Sequence, residues 1–409
     1  MLDSKLGLGD MDLMRTTLVN IFYRSKDLLR GMAALAIAVV LLLGSTERAL
    51  AQADETPPDS ASADEEETGN SLIPLPVIFY QPETGLGFGV TAMYFLRSSG
   101  SSDADSTAET QQQTSYIAPV AIYTLKKQII LSVRTELYPK RGDYRIIGEA
   151  GFIKFPTKFW GIGNNTPDAL EEDFTPLTLN TLGEVQKRFA PGWYAGVLGQ
   201  LGYRELRDIE DDGLLASGLV PGAEDGWVVG LGVLLTRDTR SSTVYPHRGS
   251  FHQLRAQLFS GYFGSDYDFG RISLDLRKYF PVLSTHVLAL RALGVFAPGN
   301  PPFDLMPQLG GEMLLRGYFA GRYRDRQMLA FQAEYRMPVW WRIGVVGFGA
   351  IGQVQDDLNG FRSDQFHPSL GAGLRFALSP EEELNIRADF GWGFDVESSG
   401  FYLSFGEAF

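Results

Sequence analysis

Residues 384–394 read LNIRADFGWGF. Leu384, Ile386, Ala388, Phe390, Trp392 and Phe394 fall on one face of an extended chain, and Asn385, Arg387, Asp389 and two glycines on the other. A period of two marks a strand, because successive side chains of extended backbone point to opposite faces. The pattern recurs along the chain. RISLDLR sets Ile272, Leu274 and Leu276 against Arg271, Ser273, Asp275 and Arg277, and AFQAEYRM sets Phe331, Ala333, Tyr335 and Met337 against Gln332, Glu334 and Arg336. LRAQL sets Leu254, Ala256 and Leu258 against Arg255 and Gln257.

The alternating segments between Gly85 and Phe409 run to about 8–13 residues, and none carries a helical period. A soluble sandwich or propeller uses strands of about 5–6 residues, whereas a tilted strand crossing a bilayer needs about 9–11. Aromatics gather at the segment ends, at Tyr279–Phe280, Trp340–Trp341, Phe401–Tyr402 and Trp160, as in an interfacial girdle. Lipid offers no partner to a free backbone group, so such strands must close on themselves. The expected fold is all-β: a transmembrane antiparallel β-barrel of about 16 strands, with 14 and 12 as the neighbouring even counts. Leu75–Pro82 supplies the strand that makes the parity even. Short turns are expected at 281–286, 337–342 and 379–383, and longer connections at 157–176, 207–226, 298–325 and 355–367 on the other side. The polar run 98–114 then falls on the short-turn, periplasmic side.

The 409 residues carry a net charge of −13, with 46 Gly, 27 Phe, 17 Tyr and no Cys. Disulfides and thiolate metal sites are excluded, and the acidic balance gives nucleic acid no basic face to bind. Arg24, Lys26 and Arg30 precede the apolar stretch Gly31–Gly44, and ALAQA follows. That is the layout of a secretory signal peptide over 1–51, cleaved after Ala51 or Ala53, with Met11 or Met14 as alternative starts. The apolar core is shorter than the roughly 20 residues of a membrane anchor. Residues 52–72 read as a disordered acidic linker, and 73–409 as the barrel.

MLLRGYFAGRYRDRQ, Met313–Gln327, interrupts the alternation with Arg316, Arg322, Arg324 and Arg326. Gly317 and Gly321 permit sharp turns. Folded into a lumen, a guanidinium there needs a carboxylate partner. Glu334 points inward on the following strand and Asp389 on a later one, so an ion pair with Arg316 would pin the loop. The alternative is a set of ordinary exposed loop charges. No enzyme chemistry emerges. There is no G-x-S-x-G, His247, His252, His286 and His367 lack metal spacing, and GLGFG at 85–89 opens no helix. Asp356–Asp357 sits in a solvated loop. No catalytic residue, cofactor or metal ligand is assigned.

Three stretches together carry a resemblance: LRGY (Leu315–Tyr318) with GRYRDR and EYRMP after it, TRDTRSSTVYPHRGSF at 236–251, and GLRFALSPEEELNIRADFGWG at 373–393. They resemble the BamA/TamA-type bacterial surface-antigen barrels of the outer membrane, best over 232–409. The resemblance implies a bacterial outer-membrane location and a role in assembly, insertion or translocation of protein or lipid. It also implies an extracellular loop folded into the barrel, with Leu315, Arg316, Gly317 and Tyr318 at its tip and Arg316 contacting neighbouring strands. Family members carry F-x-D-x-G on the strand after E-x-R-x-P. Here FGAIG, Phe348–Gly352, puts Ala350 in the acidic place and leaves Arg316 to Glu334 or Asp389. The acidic linker leaves no room for the POTRA domains of assembly factors, so the chain reads as a barrel-only member. A passive channel or structural barrel is the alternative function. The final GFYLSFGEAF, with Phe401, Leu403, Phe405 and Phe409 on one face and Glu407 at the membrane edge, resembles the sorting signal read by the barrel-assembly machinery. The implied partners are outer-membrane lipids, that machinery with this chain as its client, and a protein or lipid client.

Overall fold

The computed structural model describes residues 71–96, 115–283, 285–379, 384–395 and 398–409. The expected signal peptide and the acidic linker up to Asn70 lie outside the described residues, as does the polar run 98–114. Sixteen antiparallel strands form one closed sheet. They are β1 Ser71–Gln81, β2 Gly85–Leu96, β3 Ser115–Thr124, β4 Ile129–Leu137, β5 Tyr144–Lys154, β6 Glu172–Ala190, β7 Trp193–Arg207 and β8 Gly226–Asp238. The second half holds β9 Gly249–Phe259, β10 Phe269–Val282, β11 His286–Phe296, β12 Gln327–Trp340, β13 Ile343–Gln355, β14 His367–Ser379, β15 Leu384–Gly393 and β16 Ser398–Phe405. Each strand pairs with the next, and β16 returns to β1.

The alternation decides which way each side chain points. On β10, Ile272, Leu274 and Leu276 are exposed on the outer wall while Asp275 and Tyr279 are buried in the lumen. An apolar outer wall around a polar interior inverts the soluble arrangement and suits lipid. The girdle expectation needs correction at three of its seven members. Phe280, Trp340, Trp341 and Phe401 do face outward, but Tyr279, Tyr402 and Trp160 are buried on the inner side. Adjacent residues on a strand cannot share a face, so Tyr279–Phe280 and Phe401–Tyr402 split between lumen and membrane, whereas Trp341 follows the end of β12 at φ +50° and stays outside with Trp340.

Up-and-down order puts the connections 155–171, 208–225, 260–268, 297–326 and 356–366 at one end, the loop end. The turns 191–192 and 341–342 lie at the other, the turn end, with the finish of β10 and β14, the start of β1 and the finish of β16. The closing seam differs from its neighbours. β1 and β2 pair in register from Ser71 opposite Phe95 to Gln81 opposite Gly85. β1 and β16 are registered at Tyr80 opposite Leu403, with the Tyr80 and Phe401 rings 5.9 Å apart outside.

Leu274 sits midway along β10 on the outer wall. Leu274→Arg should cost about 2–4 kcal/mol of folding stability in a bilayer, read from urea titrations of refolding into liposomes.

Candidate functional site

The connection between β11 and β12 does not extend away from the barrel. Gln308–Leu309 pairs with Tyr323–Arg324 as a short ladder, and the turn between them reaches into the lumen. Leu315 and Tyr318 are fully buried there, packed with Leu309, Tyr323, Met328 and Val354. Gly317 has φ +109°. A Cβ on it would lie 2.5 Å from the Trp392 carbonyl carbon and 2.6 Å from the Gly393 nitrogen. The tip therefore meets the β15 backbone directly, which only a glycine in the left-handed region allows.

Arg316 is the charged centre of this contact. Its Nη1 donates to Asp389 Oδ2 on β15 at 2.5 Å, and its Nη2 donates to Glu334 Oε1 on β12. The guanidinium lies 3.5 Å from the centre of the Phe348 ring on β13. Phe348 can lie flat because its cross-strand partner is Gly371, where any Cβ would come 2.2 Å from the ring. Arg316 is thus held by two carboxylates at its edges and an aromatic on its face. The position that holds Ala350 contributes apolar packing against the loop cluster, and Asp389 supplies the charge from two strands away.

The two acids are shared further. Glu334 also accepts from Arg336 at 2.9 Å, and Asp389 from Arg375 at 2.5 Å. Arg375 Nε donates to Glu407 at 2.9 Å, and Arg336 approaches the same carboxylate at 3.8 Å. Arg387 donates to Glu312 of the loop at 2.7 Å and lies 4.0 Å from Asp389. Arg316, Arg336, Arg375 and Arg387 face Glu312, Glu334, Asp389 and Glu407, so the buried charges balance.

Neutral hydrogen bonds complete the docking. The Tyr402 hydroxyl accepts from Gly317 N at 3.0 Å, and Ser398 Oγ donates to Gly317 O at 2.6 Å. The Tyr318 hydroxyl donates to Pro368 O at 2.9 Å and accepts from Phe394 N at 3.1 Å. Burial raises that phenol well above its ordinary range. Glu83, in the turn after β1, accepts from Ala320 N at 2.6 Å, and burial raises its carboxyl too, against that N–H bond. The loop 155–171 lies over the inward loop. Arg322 donates to Asp168 at 2.7 Å, Gly163 N donates to Arg324 O at 2.8 Å, and the Trp160 and Phe319 rings are 5.2 Å apart.

The C-terminal residues depart from expectation. Phe401 and Phe405 face outward, with Leu403 between them, but Gly406 turns the chain at φ +75°. Glu407 enters the lumen to meet Arg375 and Asn385, rather than sitting at the membrane edge. Phe409 is buried with Ala408 against Tyr279, Val287 and Ala289, and its main-chain oxygen accepts from Arg336 at 2.9 Å. Phe409 therefore does not share the outer face of Phe401. Strand alternation was extended through a glycine that ends the strand. The 236–251 stretch supplies the β8–β9 turn, and its Tyr245 ring lies 5.6 Å from the Arg336 guanidinium at this same end.

Arg336 and Arg387 were legible as inward-facing by parity alone. Arg375, Glu407 and Glu312 were missed. Arg375 lies on the inner face of β14 by the same rule, while no periodic signal marks Glu312 in a loop.

Arg316→Ala leaves Glu334 and Asp389 each one cation short, and breaking a buried pair from one side costs about 3–5 kcal/mol. The expected result is a barrel that still forms but whose loop is cut by trypsin at Arg322, Arg324 or Arg326. Native protein should resist the same digestion, and Arg316→Lys should fall between, since a lysine cannot bridge both carboxylates in a plane.

A family model described as the Omp85 superfamily domain matches residues 203–409. Among solved structures, BamA from Haemophilus ducreyi lacking POTRA domains 1–3 superposes with a TM-score of 0.57 at 12% identity, covering 82% of this chain and 70% of that one. CdiB from Acinetobacter baumannii gives 0.52 at 13% identity over 83% of this chain, and CdiB from Escherichia coli 0.53 at 11% over 84%. The match spans 59% and 64% of those two CdiB chains. At these identities the likeness is one of fold. No curated protein matches the chain by sequence. With a closed sixteen-stranded barrel, an inward loop and the family match over its C-terminal half, the chain belongs to the Omp85 superfamily of outer-membrane β-barrels.

Proposed function

We propose that this barrel acts in the assembly, insertion or translocation of protein or lipid at the outer membrane, with the seam between β1 and β16 as the place where a client strand or acyl chain enters. One juxtaposition carries this reading. Leu403 stands opposite Tyr80 at the registered position of the seam, and the next residue, Tyr402, turns inward to hold Gly317. The loop tip therefore grips the seam strand from inside while Arg316 anchors the same tip to β12 and β15. A shift of the tip alters the support of β16, and opening of the seam pulls on the tip. The filled lumen weighs against a passive pore. The inward loop occupies it from the loop end, and the Glu407–Phe409 tail with Tyr245 and Tyr279 from the turn end.

The test places residues 52–409 in liposomes and follows insertion of a small reporter outer-membrane protein. Native protein should speed insertion several-fold over empty liposomes, and Arg316→Ala should lose that gain. Tyr80→Cys with Leu403→Cys, in a chain free of native cysteine, should be inactive when oxidised and recover on reduction. Equal activity in both redox states would remove the seam from the mechanism. No gain over empty liposomes for any form would favour the channel or scaffold reading.

A further inference from the structure

The outer wall carries a feature that the plug and seam do not use. Near the turn end, Arg237 on β8 stands opposite His252 on β9, and His252 stands opposite Leu276 on β10. Lys278 follows two residues along β10, on the same outward face. Trp193 on β7 is opposite Arg237, whose guanidinium lies 5.6 Å from the indole centre. The Lys278 amine lies 5.5 Å from the Phe280 ring. The nearest acids cannot neutralise the group, because they point inward and are committed there. Asp238 pairs with Arg240, and Asp275 with Arg277 and Arg291. Two cations, Arg237 and Lys278, and the imidazole of His252 thus share a membrane-facing surface at the level of the interfacial aromatics, where a bare charge is tolerated near headgroups but not in hydrocarbon.

A groove of about 700 Å³ starts from this group and runs across the outer faces of β10–β14. Its floor is the backbone at Arg277, Arg291 and Gln332, whose side chains point into the lumen. One wall follows the register His252, Leu276, Ala292, Phe331, Ile351. The other follows Lys278, Leu290, Ala333, Gly349, Leu370. Ala292, Ala333 and Gly349 are small, and the hollow exists because of them. One wall begins with the imidazole of His252 and the other with the Lys278 amine, and both continue with apolar residues. Strands in such barrels tilt by about 35–45°, so a row perpendicular to them climbs through the membrane rather than circling it.

We propose that this groove binds an anionic phospholipid of the turn-end leaflet, its phosphodiester among Arg237, His252 and Lys278 and one acyl chain along the apolar walls. The chemistry selects this occupant. An acyl chain fits an apolar channel that slants through hydrocarbon, and a phosphate supplies the charge the barrel withholds. A second copy of the chain would suit the walls less well, since a two-fold contact brings identical surfaces together and sets the cations against one another. The site is separate from the insertion activity proposed above.

The experiment is native mass spectrometry of the folded full chain in detergent, with phosphatidylglycerol and phosphatidylcholine of identical chains added in turn. Phosphatidylglycerol should be retained in preference. The combined variant Arg237→Gln, His252→Gln, Lys278→Gln should lose that preference by about fivefold for each of its two cations, on the order of 25-fold in all. Ala333→Phe, which fills the hollow and spares the cations, should weaken retention of both lipids. Folding of each variant is checked by heat-dependent gel mobility, and Lys278→Gln alone replaces the combined variant if that one fails to fold. Equal retention of the two lipids by native protein, or an undiminished preference in a folded cation variant, would overturn the proposal. So would a native dimer that Ala333→Phe dissociates in the absence of any lipid preference.

Discussion

A guanidinium enclosed in the lumen of a closed barrel has no cheap alternative partner, and Arg316 sets the conditions that the surrounding strands meet. Leaving it unpaired would cost several kcal/mol, on the order of a large share of a domain's net stability. The barrel meets the charge from three strands at once, with Glu334 on β12, Phe348 on β13 and Asp389 on β15. Each acid then serves a second arginine, and Glu407 serves two. Removing one member strands its neighbours, so the network holds its arrangement as a unit. A flexible connection between β11 and β12 becomes a fixed internal element by this means.

The division between legible and illegible follows from periodicity. Parity of two told inside from outside wherever a strand continued, so Glu334, Arg336, Arg387 and Asp389 could be placed in the lumen before any coordinates. The closed sheet followed from strand length together with the requirement to pair backbone groups in lipid. Parity failed at both boundaries of a strand. At Gly406 a left-handed glycine ended it, and Glu407 and Phe409 moved from the expected membrane face into the lumen. At adjacent aromatics it was not applied, and Tyr279 and Tyr402 were read as girdle although their neighbours occupy that role. Ala350 shows a different limit. Its substitution for an acid looked like a gap in the arginine site, but Asp389 two strands away closes it, in register through Gly373 with Val346 rather than with Ala350, and register between distant strands is not written in one segment.

The inner and outer walls solve opposite problems with the same backbone. Inside, the carboxylates around Arg316 are each paired with arginines, because the space is enclosed. Outside, Arg237, His252 and Lys278 pair with no carboxylate among the described residues, and the interfacial level lets long side chains reach the headgroup phosphate proposed for them. Asp275 joins the two. It lies between Leu274 and Leu276 on β10, and by pairing inward with Arg277 and Arg291 it keeps its charge away from the lipid-facing cations.

The seam can be read in the same terms. Unpaired N–H and C=O groups are costly in hydrocarbon, and the β1–β16 junction is registered at Tyr80 and Leu403 where β1 and β2 pair from Ser71 to Gln81. Its strand β16 is held by its full pairing with β15 and, from within, by the hydroxyls of Tyr402 and Ser398 on the Gly317 backbone. The plug tip therefore contributes to the stability of the β1–β16 junction, and its own position depends on Arg316. A barrel built only to be closed would gain more by extending the β1–β16 ladder than by bracing it from inside. Bracing from within ties the closure of this junction to the seating of the loop, which is the coupling that the proposed seam entry requires.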